Sequence, residues 1–144
     1  MPRCYLLTLC SGSSLDQQSN NVTLFNLVEQ INVPPGAPPP QGGALPLEIH
    51  AYFLLSGEEV GKEFEARVAL VSTSGLETYT DGFKHRPITP RYRIRTYGLP
   101  VPPVVGSYDV RIDLRPEGDG SWKRDDAAWP LLVVEASDTA PLMH

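Results

Sequence analysis

Between Gly106 and Pro116 the chain sets polar against apolar residues one at a time: Tyr108, Val110, Ile112 and Leu114 alternate with Asp109, Arg111, Asp113 and Arg115. A period of two sends successive side chains to opposite faces of an extended strand, whereas a helix brings apolar residues back every three or four positions. The pattern recurs. Ile49, Ala51, Phe53 and Leu55 alternate with Glu48, His50 and Tyr52, and after a turn at Ser56 to Gly61, Phe64, Ala66, Val68 and Leu70 alternate with Glu63, Glu65 and Arg67. These two segments read as a hairpin. Weaker strands are expected at Glu77 to Phe83 and at Arg91 to Tyr97, where Tyr92, Ile94 and Thr96 alternate with Arg91, Arg93 and Arg95, and a last strand at Leu131 to Glu135. An apolar run from Cys4 to Leu9, a polar turn from Ser11 to Asn21 and a second run from Val22 to Ile31 suggest a strand pair, the second run also admitting a helix. Seven or eight short strands, each apolar on one face, bury those faces by stacking two antiparallel sheets about 10 Å apart. The expected fold is all-β, a two-sheet antiparallel β-sandwich.

The 144 residues suit one domain spanning 1–144. Twelve glycines and fifteen prolines fall between the apolar runs, as in all-β proteins. Six prolines and three glycines lie between Asn32 and Pro46, removing backbone donors, so 32–46 reads as a Pro-rich loop bridging the sheets or as a Pro-rich ligand for an aromatic groove. A flexible tail is expected from about residue 137, and no repeat of 20–50 residues is visible.

A net charge of −5 and a pI near 5.1 give no global attraction to nucleic acid or anionic membranes, so neither is an expected partner. Cys4 and Cys10, six apart on an extended segment at about 3.3 Å per residue, lie about 20 Å from each other, beyond disulfide reach. They read as reduced, buried thiols. No run reaches the ~18 apolar residues of a membrane helix, and the five-residue run Tyr5 to Leu9 is too short for an export signal of ~7–15. A cytoplasmic protein is expected, which makes the Asn21-Val22-Thr23 glycosylation match fortuitous.

Gly106-Ser107-Tyr108-Asp109-Val110 resembles the Gly-x-Tyr-x-Cys stretch of immunoglobulin-like domains, with Val110 in the cysteine's place. The resemblance implies an immunoglobulin-like sandwich whose Tyr108 hydroxyl ties back to the backbone. The whole chain also resembles a family of small uncharacterised bacterial proteins over about 130 residues. The shared features are an opening Leu6-Leu7 strand reaching Cys10, a Leu24 to Leu27 strand closing on Gln30-Ile31, a proline stretch and the late Gly106-x-Tyr108 strand. That family carries no assigned activity, so the resemblance implies fold alone.

No Gly-x-Ser-x-Gly turn, phosphate loop or Gly-Lys-Ser/Thr is present, and Ser11-Gly12-Ser13-Ser14 reads as a flexible turn. No catalytic residue and no cofactor are assigned. His50, His85, His144, Cys4 and Cys10 lack metal-ligand spacing among themselves, so no metal site is expected; His50 reads as a strand residue beside Glu48 and Tyr52. Glu58-Glu59 and Asp125-Asp126 read as solvated loop charge. The candidate surface is the row Arg91, Arg93 and Arg95, continued by Tyr97, at about 6.6 Å spacing on one strand face. It suits carboxylates, phosphates or an acidic partner, unless Asp109, Asp113, Glu63 or Glu65 neutralise it across strands. The leading expectation is a non-catalytic module that binds a protein partner or itself. The alternatives are an anion-binding domain using the arginine row, and an enzyme built from His50, His85 and loop carboxylates.

Overall fold

A computed structural model of the chain describes residues 1–34, 43–117 and 120–136. Among these there is no helix. Ten strands form two sheets: β1 (Arg3–Leu15), β2 (Val22–Leu27), β3 (Gln30–Val33), β4 (Ala44–Leu54), β5 (Phe64–Ser72), β6 (Glu77–Tyr79), β7 (Phe83–His85), β8 (Arg91–Pro100), β9 (Gly106–Pro116) and β10 (Lys123–Glu135). One sheet runs β2-β1-β4-β8 and the other β3-β10-β9-β5-β6, with β7 also paired to β5. All pairings are antiparallel except β3 with β10, which is parallel.

The core lies between the sheets. Leu7, Leu9, Ile49, Ala51, Phe53 and Ile94 from the four-stranded sheet meet Phe64, Val68, Leu70, Val110, Ile112, Leu131 and Val133 from the other. Alternation thus assigns the inward faces of β4, β5 and β9 correctly. Phe64 packs edge-on to Phe53 and Tyr92, and the His85 ring tilts against Phe64 with its Nδ1 2.9 Å from the Tyr92 hydroxyl. The Tyr108 hydroxyl donates to the Val104 carbonyl and accepts from the Val104 amide, the tie that its sequence context implied.

Several expectations need correction. Among the described residues the strands number ten. The Leu47–Leu55 and Phe64–Leu70 segments are not a hairpin: β4 and β5 lie in different sheets, because β4 pairs with β1 and β8 while β5 pairs with β9. The polar stretch from Ser11 to Leu15 continues β1, and the turn is confined to Asp16–Asn21, where Asn20 takes a left-handed φ of 60° that asparagine tolerates. Val22–Ile31 is neither one strand nor a helix. It breaks after Leu27, and the Trp129 indole donates to the Val28 carbonyl at 2.7 Å where the chain changes sheets. In the 32–46 stretch, Asn32 and Val33 end β3 and Ala44–Pro46 begin β4, with Pro46 at a register shift where its missing donor costs no ladder bond. Residues 35–42 and the tail from 137 lie outside the described residues.

The last strand is far longer than expected because a bulge hides its start. Between Arg124 and Ala128 the register with β9 slips, and Arg111 gathers the loose backbone, donating to the Ala127 and Asp125 carbonyls at 3.0 and 2.9 Å. Asp125 takes the amides of Ala127 and Cys4. It serves as a backbone clasp rather than as solvated charge.

Two stability outcomes follow. Phe53→Ala should cost about 3–5 kcal/mol and Tyr108→Phe about 1 kcal/mol, read from urea midpoints at unchanged slope. Burial holds the His85 imidazole below its ordinary value of 6.5, so the unfolded chain binds the extra proton first. Stability should therefore fall as pH drops below about 6.5, and His85→Phe should flatten that part of the profile.

Candidate functional site

Register on the four-stranded sheet sets two cross-strand rows side by side. Thr8 of β1, His50 of β4 and Arg95 of β8 form one; Cys10, Glu48 and Tyr97 form the next. All belong to the face opposite the core, since Leu7, Leu9, Ile49, Ala51 and Ile94 take the inner side. An outer face is ordinarily wet, yet Thr8, Cys10, Glu48 and His50 are each at most 6% exposed. The sheet curls, and the β1–β2 hairpin closes over it until Asn20 Oδ1 accepts Arg93 Nη2 of β8 at 2.9 Å.

Glu48 is the centre of this cluster. Its Oε1 accepts from Ser13 Oγ at 2.7 Å and Arg95 Nε at 3.1 Å and lies 2.9 Å from His50 Nε2, while Oε2 accepts Arg95 Nη2 at 3.2 Å. The Ser13 hydroxyl above all, then His50 and Arg95, hold the carboxyl below its ordinary range against the opposing effect of burial. Beside an ionised carboxylate His50 Nε2 acts as the donor, which assigns its proton. Burial, and secondarily the Glu48 charge, push the Cys10 thiol up, so it is a protonated thiol rather than a poised nucleophile. One donor atom from each of Cys10, Glu48 and His50 lies within 4.8 Å of the others. The Thr8 hydroxyl, directly across from His50, is buried without a hydrogen-bond partner, a state that typically costs about 1–3 kcal/mol.

The arginine row divides. Arg95 is committed to Glu48, Arg93 donates to the neutral Asn20 amide and lies against the Tyr52 hydroxyl, and the Arg91 guanidinium has no ion pair or hydrogen bond among the described residues. Tyr97 is 67% exposed. The acids considered as neutralisers are on or beside strands of the other sheet: Asp113 bonds Arg67 and Arg124, Glu65 bonds Arg115, Glu63 faces Lys84 and Arg86, and Asp109 lies on β9. β8 never neighbours them because β4 is its partner. Between the hairpin tip and β8 opens a cleft of about 360 Å³ lined by Tyr5, Asn20, Tyr52, Arg91, Tyr92 and Arg93.

The enzyme alternative gains little from this arrangement. His50 and a carboxylate do lie within hydrogen-bonding reach, but both are sealed, and His85 sits apart on β7 among Phe64 and Tyr92. Glu59 caps the Ser56 amide at 2.7 Å. Searches against protein-family models, curated proteins and solved structures match nothing.

Sequence reasoning places Glu48 and His50 on one face but leaves out Cys10, Thr8 and Ser13. The available signal is parity, since Thr8 and Cys10 alternate with Leu7 and Leu9. With its folded carboxyl lowered, Glu48 adds stability above its ordinary value of 4.5 that disappears as pH falls through the folded one. Glu48→Gln should lower stability by about 1–3 kcal/mol at pH 7 and shrink the loss seen on acidification, measured by denaturant melts at several pH values.

Proposed function

We propose that the protein is a non-catalytic, immunoglobulin-like binding module that takes an extended acidic segment of a partner protein along the free edge of β8. The observation that carries this is the edge itself. β8 is ten residues long, pairs only with β4 among the described residues, and bears Arg91 and Arg93 where the cleft opens. An added strand would satisfy the idle backbone groups of that edge, and its alternate side chains would stand beside the arginines, which favour carboxylates. Arg93 exchanges only neutral partners, the Asn20 amide and the Tyr52 hydroxyl, for such a carboxylate.

The immunoglobulin-like part rests on the Tyr108 tie, on Val110 buried two residues later, and on β4 and β8 sharing one sheet while β5, β9 and β10 share the other. The likeness to the small bacterial family rests on the Leu6-Leu7 strand reaching Cys10, on Leu24 to Leu27 closing on Gln30-Ile31, on the proline stretch and on Gly106-x-Tyr108. Two buried thiols without a disulfide suit a reducing cytoplasmic setting. Among the described residues no helix is long and apolar enough to cross a membrane.

The test is binding of a synthetic β-prone peptide carrying glutamates at alternate positions. Affinity should weaken with salt and drop about tenfold, some 1.4 kcal/mol, in Arg91→Glu and again in Arg93→Glu, while hydrogen exchange slows in β8. Binding of free carboxylate or sulfate with no slowing in β8 would move the reading to an anion clamp. Sedimentation showing a dimer that the same substitutions dissolve would make the partner a second copy.

A further inference from the structure

We infer that Cys10, Glu48 and His50 form a binding site for one divalent transition-metal ion of the zinc class. Thiolate, imidazole and carboxylate together are a zinc-type ligand set, and around a tetrahedral zinc such donor atoms lie about 3.3–3.8 Å apart. Here they already fall within 4.8 Å on two adjacent strands, so side-chain rotations on the order of 1 Å close the set without backbone movement.

A second observation points the same way. The Thr8 hydroxyl is buried, unpartnered and on the same face, one row from Cys10 and directly across from His50. A metal-bound water, completing a three-ligand site, is the polar partner that it lacks. Charge balances as well. The ion brings two positive charges, Cys10 releases its thiol proton to solvent, and thiolate plus carboxylate neutralise the ion. If His50 binds through Nε2, the proton now facing Glu48 moves to Nδ1. Arg95 is then surplus at Glu48, and with 62% of its side chain exposed it can turn to water. In the metal-free protein Arg95 and Ser13 thus act as the stand-in cation and donor that keep Glu48 ionised and aimed.

The test uses the full chain, stripped with a chelator and titrated with cobalt(II). One equivalent should bind with a thiolate-to-cobalt charge-transfer absorption, and zinc(II) should bleach it. Since the chain has two cysteines, Cys4→Ser leaves Cys10 as the sole thiol and should keep the band, whereas Cys10→Ser should abolish it. Arg95→Ala removes an exposed competitor and should tighten binding several-fold; His50→Gln should weaken it at least tenfold. Absence of the band in the wild type overturns the site, as does its loss in Cys4→Ser. Neither of these outcomes depends on whether Cys10→Ser folds. Peptide capture by β8 does not depend on the metal ligands, so failure here leaves the edge-binding reading standing.

Discussion

With no helix among its described residues, this chain must satisfy its buried backbone donors and acceptors sideways, strand to strand, and every sheet built that way ends in edges. The edges differ. β3 is four residues long, and opposite β9 the far side of β5 is shared between β6 and β7, three residues each, which leaves no continuous ladder to copy. β2 is short and carries Asn26 at a positive φ of 53°. β8 is the long one. Charged residues on an edge disfavour pairing between identical edges, because like charges would stand side by side. The arginines of β8 therefore discourage pairing with an identical edge.

The two outer faces solve the problem of a buried carboxylate in opposite ways. Asp113, 2% exposed, lies between the guanidinium groups of Arg67 and Arg124, and Arg67 stacks on Tyr79 and Trp122. Two cations hold one anion, and aromatic faces hold one of the cations. That is a clamp for β5, β9 and β10, with no partner free to leave. Glu48 has one guanidinium, itself mostly in water, together with one hydroxyl and one imidazole as donors. A carboxylate with an exchangeable cation is suited to binding; one with fixed cations is suited to holding strands together.

Strand faces are legible in the sequence wherever alternation runs unbroken, as in β4, β5 and β9, and so are the inward residues and the Tyr108 tie. Pairing is not. Alternation says which way Ile49 and Phe64 point but nothing of whether their strands share a sheet, and the short turn between them suggests a hairpin that the crossover to the second sheet replaces. The start of β10 is hidden for a different reason. Three residues, Asp125 to Ala127, stand out of register, so the period of two breaks where the strand does not. The buried cluster escapes a linear reading because Cys10 is 38 to 40 positions from its partners and only register unites them. Cys10 is legible as a buried thiol, but its neighbours are Glu48 and His50 rather than core.

Cys10 also explains why that cluster is buried at all. Among the described residues it is the one that belongs to both β1 ladders, opposite Glu48 on β4 and Leu27 on β2, so the strand changes neighbours at this point and the hairpin beyond it swings over the sheet. A small side chain at the pivot lets the hairpin close. Its tip is held by the Asn20–Arg93 hydrogen bond, on the same arginine that lines the cleft.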